Sequence, residues 1–194
     1  MGWRPAEVSD LVPAAVRPDV SADPVGEPDA YRAQLLAWLG VDDPAAVAAA
    51  TTAHMREVIR EAGHRLRERP EPGEWSVIEC LGHLLDSETI VSARIRWIIA
   101  EDEPDIVGYD QDRWVERLGH RDDDPYELVG LFAAMRAANL RLWAASSPAV
   151  RQRVGIHRER GRESYDLIWR LGAGHDRFHL AQADRALSAV RARS

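Results

Sequence analysis

The sequence predicts an all-α protein, a four-helix bundle with a long crossover connection and an N-terminal arm. Three observations carry this prediction. Apolar residues recur at spacings of three and four through four long stretches, a capping residue opens each stretch, and proline closes most of them. The 194 residues suit one domain, and 45% hydrophobic with 29% charged residues is ordinary globular composition.

The first 28 residues contain Pro5, Pro13, Pro18, Pro24 and Pro28, a density that sustains no long helix. This segment, 1–28, is expected to be an extended arm that uses Trp3, Leu11 and Val12 to wrap the domain or a partner chain; composition alone equally allows a disordered tail. The bundle domain is then 29–194. Residues 29–40 form a short helix. The first long helix starts at Asp43 as N-cap with Pro44 in the first turn and runs to about Arg69, with Val47, Ala50, His54, Val58 and Ile59 on one stripe. Pro70 and Pro72 stop it. The second opens with the capping box Ser76-Val77-Ile78-Glu79 and runs to about Glu101, before Pro104. The third follows Asp124-Pro125 and carries Leu128, Leu131, Phe132, Met135, Ala138 and Leu142 on its apolar side. The fourth follows Ser164. Residues 70–75 are short enough to join only antiparallel neighbours, whereas 103–124 can cross the whole bundle. The one extended piece expected is Val154–Arg158.

Charge and composition exclude several functions. The net charge of −7 disfavours a phosphate-backbone or anionic-membrane binder. All 25 basic residues are arginine, so neither a Schiff-base lysine nor a P-loop lysine exists. No basic segment leads into an apolar run, and no stretch is apolar enough to span a membrane. The single cysteine, Cys80, makes no internal disulfide. These features give a cytoplasmic expectation and disfavour nucleic acid and membrane as partners; a small-molecule partner is expected from the metal-dependent reading of the histidines below.

Among seven histidines, His175 and His179 share one helical face one turn apart, close enough to bind the same ion. Two half-buried histidines bonded to backbone or carboxylates would give the same pattern. His83 shifts the balance: a third imidazole from another helix completes a three-nitrogen site with open positions, as in catalytic zinc centres. Asp86, one turn beyond His83, is a candidate to orient it, or else a solvated carboxylate. His157, before the fourth helix, could reach the open side of the ion or lie in solvent. Arg158, Arg160 and Arg162 beside it could grip a carboxylate or form a solvated charge run. His54, His64 and His120 are assigned no chemistry, the last sitting in a polar turn. Cys80 could approach the ion but reads as inert packing, and Tyr109 and Trp114 as pocket wall or core.

The segment Trp75-Ser76-Val77-Ile78-Glu79-Cys80-Leu81-Gly82-His83-Leu84-Leu85-Asp86-Ser87-Glu88 closely resembles the first signature of the DinB/YfiT-like superfamily. Gly174-His175-Asp176-Arg177-Phe178-His179-Leu180-Ala181-Gln182 resembles its second, and Tyr109-Asp110-Gln111-Asp112-Arg113-Trp114 is similar to a middle segment. The resemblance covers about 30–190. It implies a four-helix bundle of unusual connectivity, often a homodimer, whose three histidines hold a divalent ion, zinc or nickel foremost; the ligands carry over to His83, His175 and His179. It also implies a low-molecular-weight thiol cosubstrate such as mycothiol, bacillithiol or glutathione, used in transfer to a small electrophile. A metal-dependent hydrolase and a non-catalytic metal-binding stress-response module are the alternatives. No catalytic residue is assigned.

Overall fold

The computed structural model describes residue 22 and residues 25–193; the arm expected over 1–28 lies almost entirely outside the described residues. The helix starts follow local capping chemistry. α1 (Pro28–Leu39) and α2 (Pro44–Ala62) each begin with proline, and Asp43 accepts from the backbone amides of Ala45 and Ala46. α3 (Val77–Ala100) opens with the reciprocal Ser76/Glu79 capping box. After β1 (Asp105–Ile106) and α4 (Gln111–Leu118), α5 (Pro125–Ala145) starts on the Asp124 cap. Then come α6 (Pro148–Arg151), β2 (Val154–His157), β3 (Gly161–Ser164) and α7 (Tyr165–Ala192), whose N-cap is Ser164.

α2, α3, α5 and α7 form the bundle. α2 and α3 each pack on both α5 and α7, which places the pairs α2/α3 and α5/α7 across its diagonals. The short connection after α2 therefore joins diagonal helices, not the neighbours expected from its length. The physical reason is that α2 ends early: Gly63, at φ 53°, turns the chain into a 3₁₀ segment, Gly63–Arg67, and a longer linker than 70–75 makes the crossing. Residues 101–124 run back along α3. Val107 O accepts from Arg94, and His120 meets Asp86 and Gly82, so the chain returns to the start of α3 before α5 begins. α3 and α5 are consequently parallel, with Glu88 bonded to Arg136 and Ser92 to Asn139.

One apolar cluster at that end joins Met55, Val58, Ile78, Leu81, Leu84, Phe132 and Leu180. A second, at the opposite end, joins Ile95, Ile98, Trp143, Tyr165 and Trp169 beneath a three-stranded sheet. β1 pairs parallel with β2, which pairs antiparallel with β3. The extended piece expected at Val154–Arg158 is thus the centre of a sheet.

Between the clusters lies a buried polar layer. Arg136 reaches from α5 to Glu88 of α3 (2.9 and 3.0 Å), Asp176 of α7 (2.5 Å) and the carbonyl of Ala48 on α2 (3.0 Å). Asp176 and Glu88 raise the Arg136 pKa against the opposing effect of burial. This corrects the expected face of α5: Leu131 is 62% exposed, while Arg136 and Asn139 point inward because carboxylates from the facing helices meet them. Similarly, Ala50 is exposed on α2 and Thr51, bonded to Asp176, is buried.

Candidate metal centre and adjoining cavity

His83 on α3 and His175 and His179 on α7 are all buried and converge where the two antiparallel helices touch. His83 Nε2 and His175 Nε2 are 3.0 Å apart. One candidate donor atom from each of the three residues lies within 4.8 Å of the other two. Two nitrogens bound to one ion at ~2.0–2.1 Å stand roughly 3 Å apart, so this spacing suits shared coordination. His179 Nδ1 is fixed by donating to Gln182 Oε1 (2.8 Å), which leaves the Nε2 lone pair free. Trp75 stacks on His179 at 5.8 Å between centroids and lies 5.0 Å from His83.

The electrostatics suit a cation. Burial, reinforced by His179 and His175, holds His83 well below the ordinary histidine pKa. His175 is held well below it by burial, His179, Arg136 and Arg94. His179 is pushed down to about 4 by burial, although Gln182 opposes this. Three neutral imidazoles thus stand together with no carboxylate among the candidate donors, and Nδ1 of both His83 and His175 is buried without a hydrogen-bond partner among the described residues. Nitrogen lone pairs crowded in this way are a donor set that zinc or nickel accepts, so the residues present fit a divalent ion.

The other sequence candidates resolve differently. Asp86 does not orient His83: its Oδ2 is 2.8 Å from His120 Nε2, because the crossover segment brings that ring onto α3. His120, expected in a polar turn, is buried, bonded on its other side to Asp123 (2.8 Å) and seated against Gly82. Both carboxylates raise its pKa, Asp86 most, against opposing burial. His157 is not a solvated loop residue. It ends β2 at 2% exposure, with Nδ1 2.9 Å from Glu159 and Nε2 unpartnered among the described residues. Burial, then Arg160, pushes its pKa down to about 4. Arg160 pairs with buried Glu163 and Arg162 with Glu103, while Cys80 belongs to the apolar cluster.

A cavity of about 520 Å³ opens from His175 along the α3/α7 seam toward the sheet, between Ser87, Val91 and Arg94 on one side and Ile168, Leu171 and Gly172 on the other. Tyr31, Leu35 and Tyr109 also line it, with His157 and Glu163. Trp114 packs on Tyr109 at 4.6 Å between centroids. Sequence reasoning missed Arg94 and the Glu159–His157 contact. The arginine sits about three turns after His83 on the same face of α3, a spacing that could have found it.

The fold and site define a class: a four-helix bundle of parallel and antiparallel pairs with three convergent histidines at the α3/α7 contact. Residues 45–183 match the family model of the DinB superfamily, and the chain belongs to that family. A protein of Oceanobacillus iheyensis named "Putative metal-dependent hydrolase" is 30% identical over 110 residues, which span 56% of this chain and 63% of that relative's length. The solved structure of YfiT from Bacillus subtilis, described as a probable metal-dependent hydrolase with an unusual four-helix bundle topology, superposes with a TM-score of 0.70. It is 20% identical, and the match covers 82% of this chain and 89% of YfiT. Among the described residues no helix is long and apolar enough to cross a membrane.

Proposed function

We propose that this chain is a divalent-metal-dependent enzyme acting on a small molecule, with His83, His175 and His179 as the ligands and the adjoining cavity as the substrate site. The observation that carries this reading is the convergence of three buried, neutral imidazoles beside a cavity of about 520 Å³. When bound, a divalent ion on three neutral ligands supplies uncompensated positive charge, which lowers the pKa of a thiol or water at its open side. The chain's own groups do the rest. Gln182 fixes the tautomer of His179, Trp75 packs against two of the rings, and residues of α1, α3 and α7 wall the adjoining cavity.

Transfer of a low-molecular-weight thiol to a small electrophile is the leading reaction. Its support is the resemblance of the two histidine-bearing motifs to the superfamily, together with the commitment of Asp86 to His120, which takes away the carboxylate next to His83 as a general base for water. Hydrolysis is the second reading, favoured by the names given to the Oceanobacillus protein and YfiT. The zinc- and nickel-loaded protein is offered mycothiol, bacillithiol and glutathione with electrophilic acceptors, and separately a panel of esters and amides. Thiol consumption abolished by His83→Ala, His175→Ala or His179→Ala supports transfer, metal-dependent cleavage without thiol reverses the order, and silence in both panels favours the binding module. Buried, unpaired Cys80 agrees with a cytoplasmic address. Pairing with a second copy is part of the same proposal; light scattering at micromolar concentration reads it, and a monomer rejects it.

A further inference from the structure

The buried arginine at the far end of the cavity has no carboxylate partner among the described residues. Arg94 is 8% exposed and makes no ion pair among the described residues; its Nη2 donates to Val107 O at 2.9 Å. Its Nε is buried without a partner, and Nη1 makes no hydrogen bond among the described residues. The nearest buried acid is already occupied: Glu163 accepts from Arg160 Nε and Nη2 (2.7 and 3.1 Å) and from Arg32 Nε (3.4 Å). Burial and Arg160 together lower the Arg94 pKa, so the protein leaves this charge under strain. A guanidinium desolvated in a cavity wall with donors to spare is a fork for a planar anion.

We infer that Arg94 anchors a carboxylate subsite, so that the substrate of this cavity is a small molecule with one carboxylate about 10 Å from the group held at the histidines. The span rests on the metal-centre reading above; the carboxylate subsite does not. The span follows from α3 itself: about three turns separate His83 from Arg94, ~16 Å between Cα atoms, and the general lean of long helical side chains toward the helix N-terminus shortens that distance. A single charge is specified by the surroundings. Arg94 makes no ion pair among the described residues, and the negative charge of Asp110, Asp112 and Glu159 in the same lining disfavours a dianion such as a phosphate monoester more strongly than a carboxylate. Val91, Ile168 and Leu171 between the two ends suit an apolar chain joining them.

The test measures binding of hexanoate, 1-hexanol and hexyl phosphate to the full chain, metal-free and zinc-loaded, by ligand-observed NMR. Hexanoate should bind metal-free protein at least about tenfold tighter than the alcohol, the size expected for a charge-assisted hydrogen bond. Arg94→Met should erase that preference. Because this variant also loses the Val107 contact, Gly172→Leu provides a second arm: a Cβ there meets nothing within 4 Å, so the leucine fills the cavity and weakens hexanoate binding with Arg94 intact. Equal binding of acid and alcohol by wild type, a preference that survives Arg94→Met, or tighter binding of hexyl phosphate overturns the inference. Hexanoate selectivity in a protein that takes up no zinc supports the subsite and removes only the metal reading.

Discussion

Gly82→Ala should destabilise the protein, although alanine in place of glycine inside a helix ordinarily stabilises by about 1 kcal/mol. A Cβ at residue 82 would stand 2.2 Å from Cγ of His120. Carbon atoms settle at roughly 3.5–4.0 Å, so the ring must retreat by about 1 Å or more. That retreat stretches the 2.8 Å contacts to Asp86 and Asp123 beyond hydrogen-bond range. A hydrogen bond to a charged group contributes about 1.5–3 kcal/mol; only the buried Asp86 contact is counted in full, since Asp123 is screened by solvent. Subtracting the helix gain leaves a net loss of roughly 0.5–2 kcal/mol. The loss is pH-dependent. Asp86 and Asp123 raise the folded-state pKa of His120, so its stabilisation is fully present below the unfolded value, near ~6.5, and disappears as pH rises through the folded value. Urea unfolding at pH 6 and pH 9 measures both effects, and the penalty should be larger at pH 6. In a His120→Ala background the ring is gone and Gly82→Ala should become stabilising. A Gly82→Ala protein at least as stable as wild type at pH 6, or a penalty undiminished in the His120→Ala background, would show that the His120 ring does not set the cost.

Two further substitutions probe how the bundle holds the site. Arg136→Met leaves Glu88 and Asp176 buried without their cation and should cost about 3–5 kcal/mol in chemical denaturation, whereas adding Glu88→Gln and Asp176→Asn should recover part of it; a single variant within experimental error of wild type would contradict the network. Gly174→Ala should loosen α1, because its Cβ would lie 2.0 Å from the carbonyl oxygen of Leu35, a backbone atom that cannot swing aside. Hydrogen exchange in residues 28–39 should accelerate, and unchanged protection there would mean the two helices tolerate a wider separation.

The helix starts were legible because capping is local: Asp43-Pro44, Ser76 with Glu79, Asp124-Pro125 and Ser164 act within one turn of their own backbone. The histidine pair was legible from the helical repeat, and His83 from its motif. What stayed hidden depends on partners distant in sequence. Arg136 and Asn139 turn inward only because Glu88 and Asp176 meet them from other helices, and Leu131, apolar at a matching spacing, is left outside. Asp86 is taken by His120 only because 101–124 doubles back along α3. His157 is buried because residues before α7 form a hairpin that pairs with β1, and two short strands gave too little alternation to announce it.

The metal content of untagged protein, read by elemental analysis after zinc or nickel loading and desalting, decides whether the three histidines form a metal centre. One divalent ion per chain is expected, lost in His83→Ala, His175→Ala and His179→Ala and kept in His54→Ala, whose ring contacts Asp184 and is not part of the cluster. A wild-type protein that retains no ion, or one whose ion survives all three ligand substitutions, would contradict that expectation.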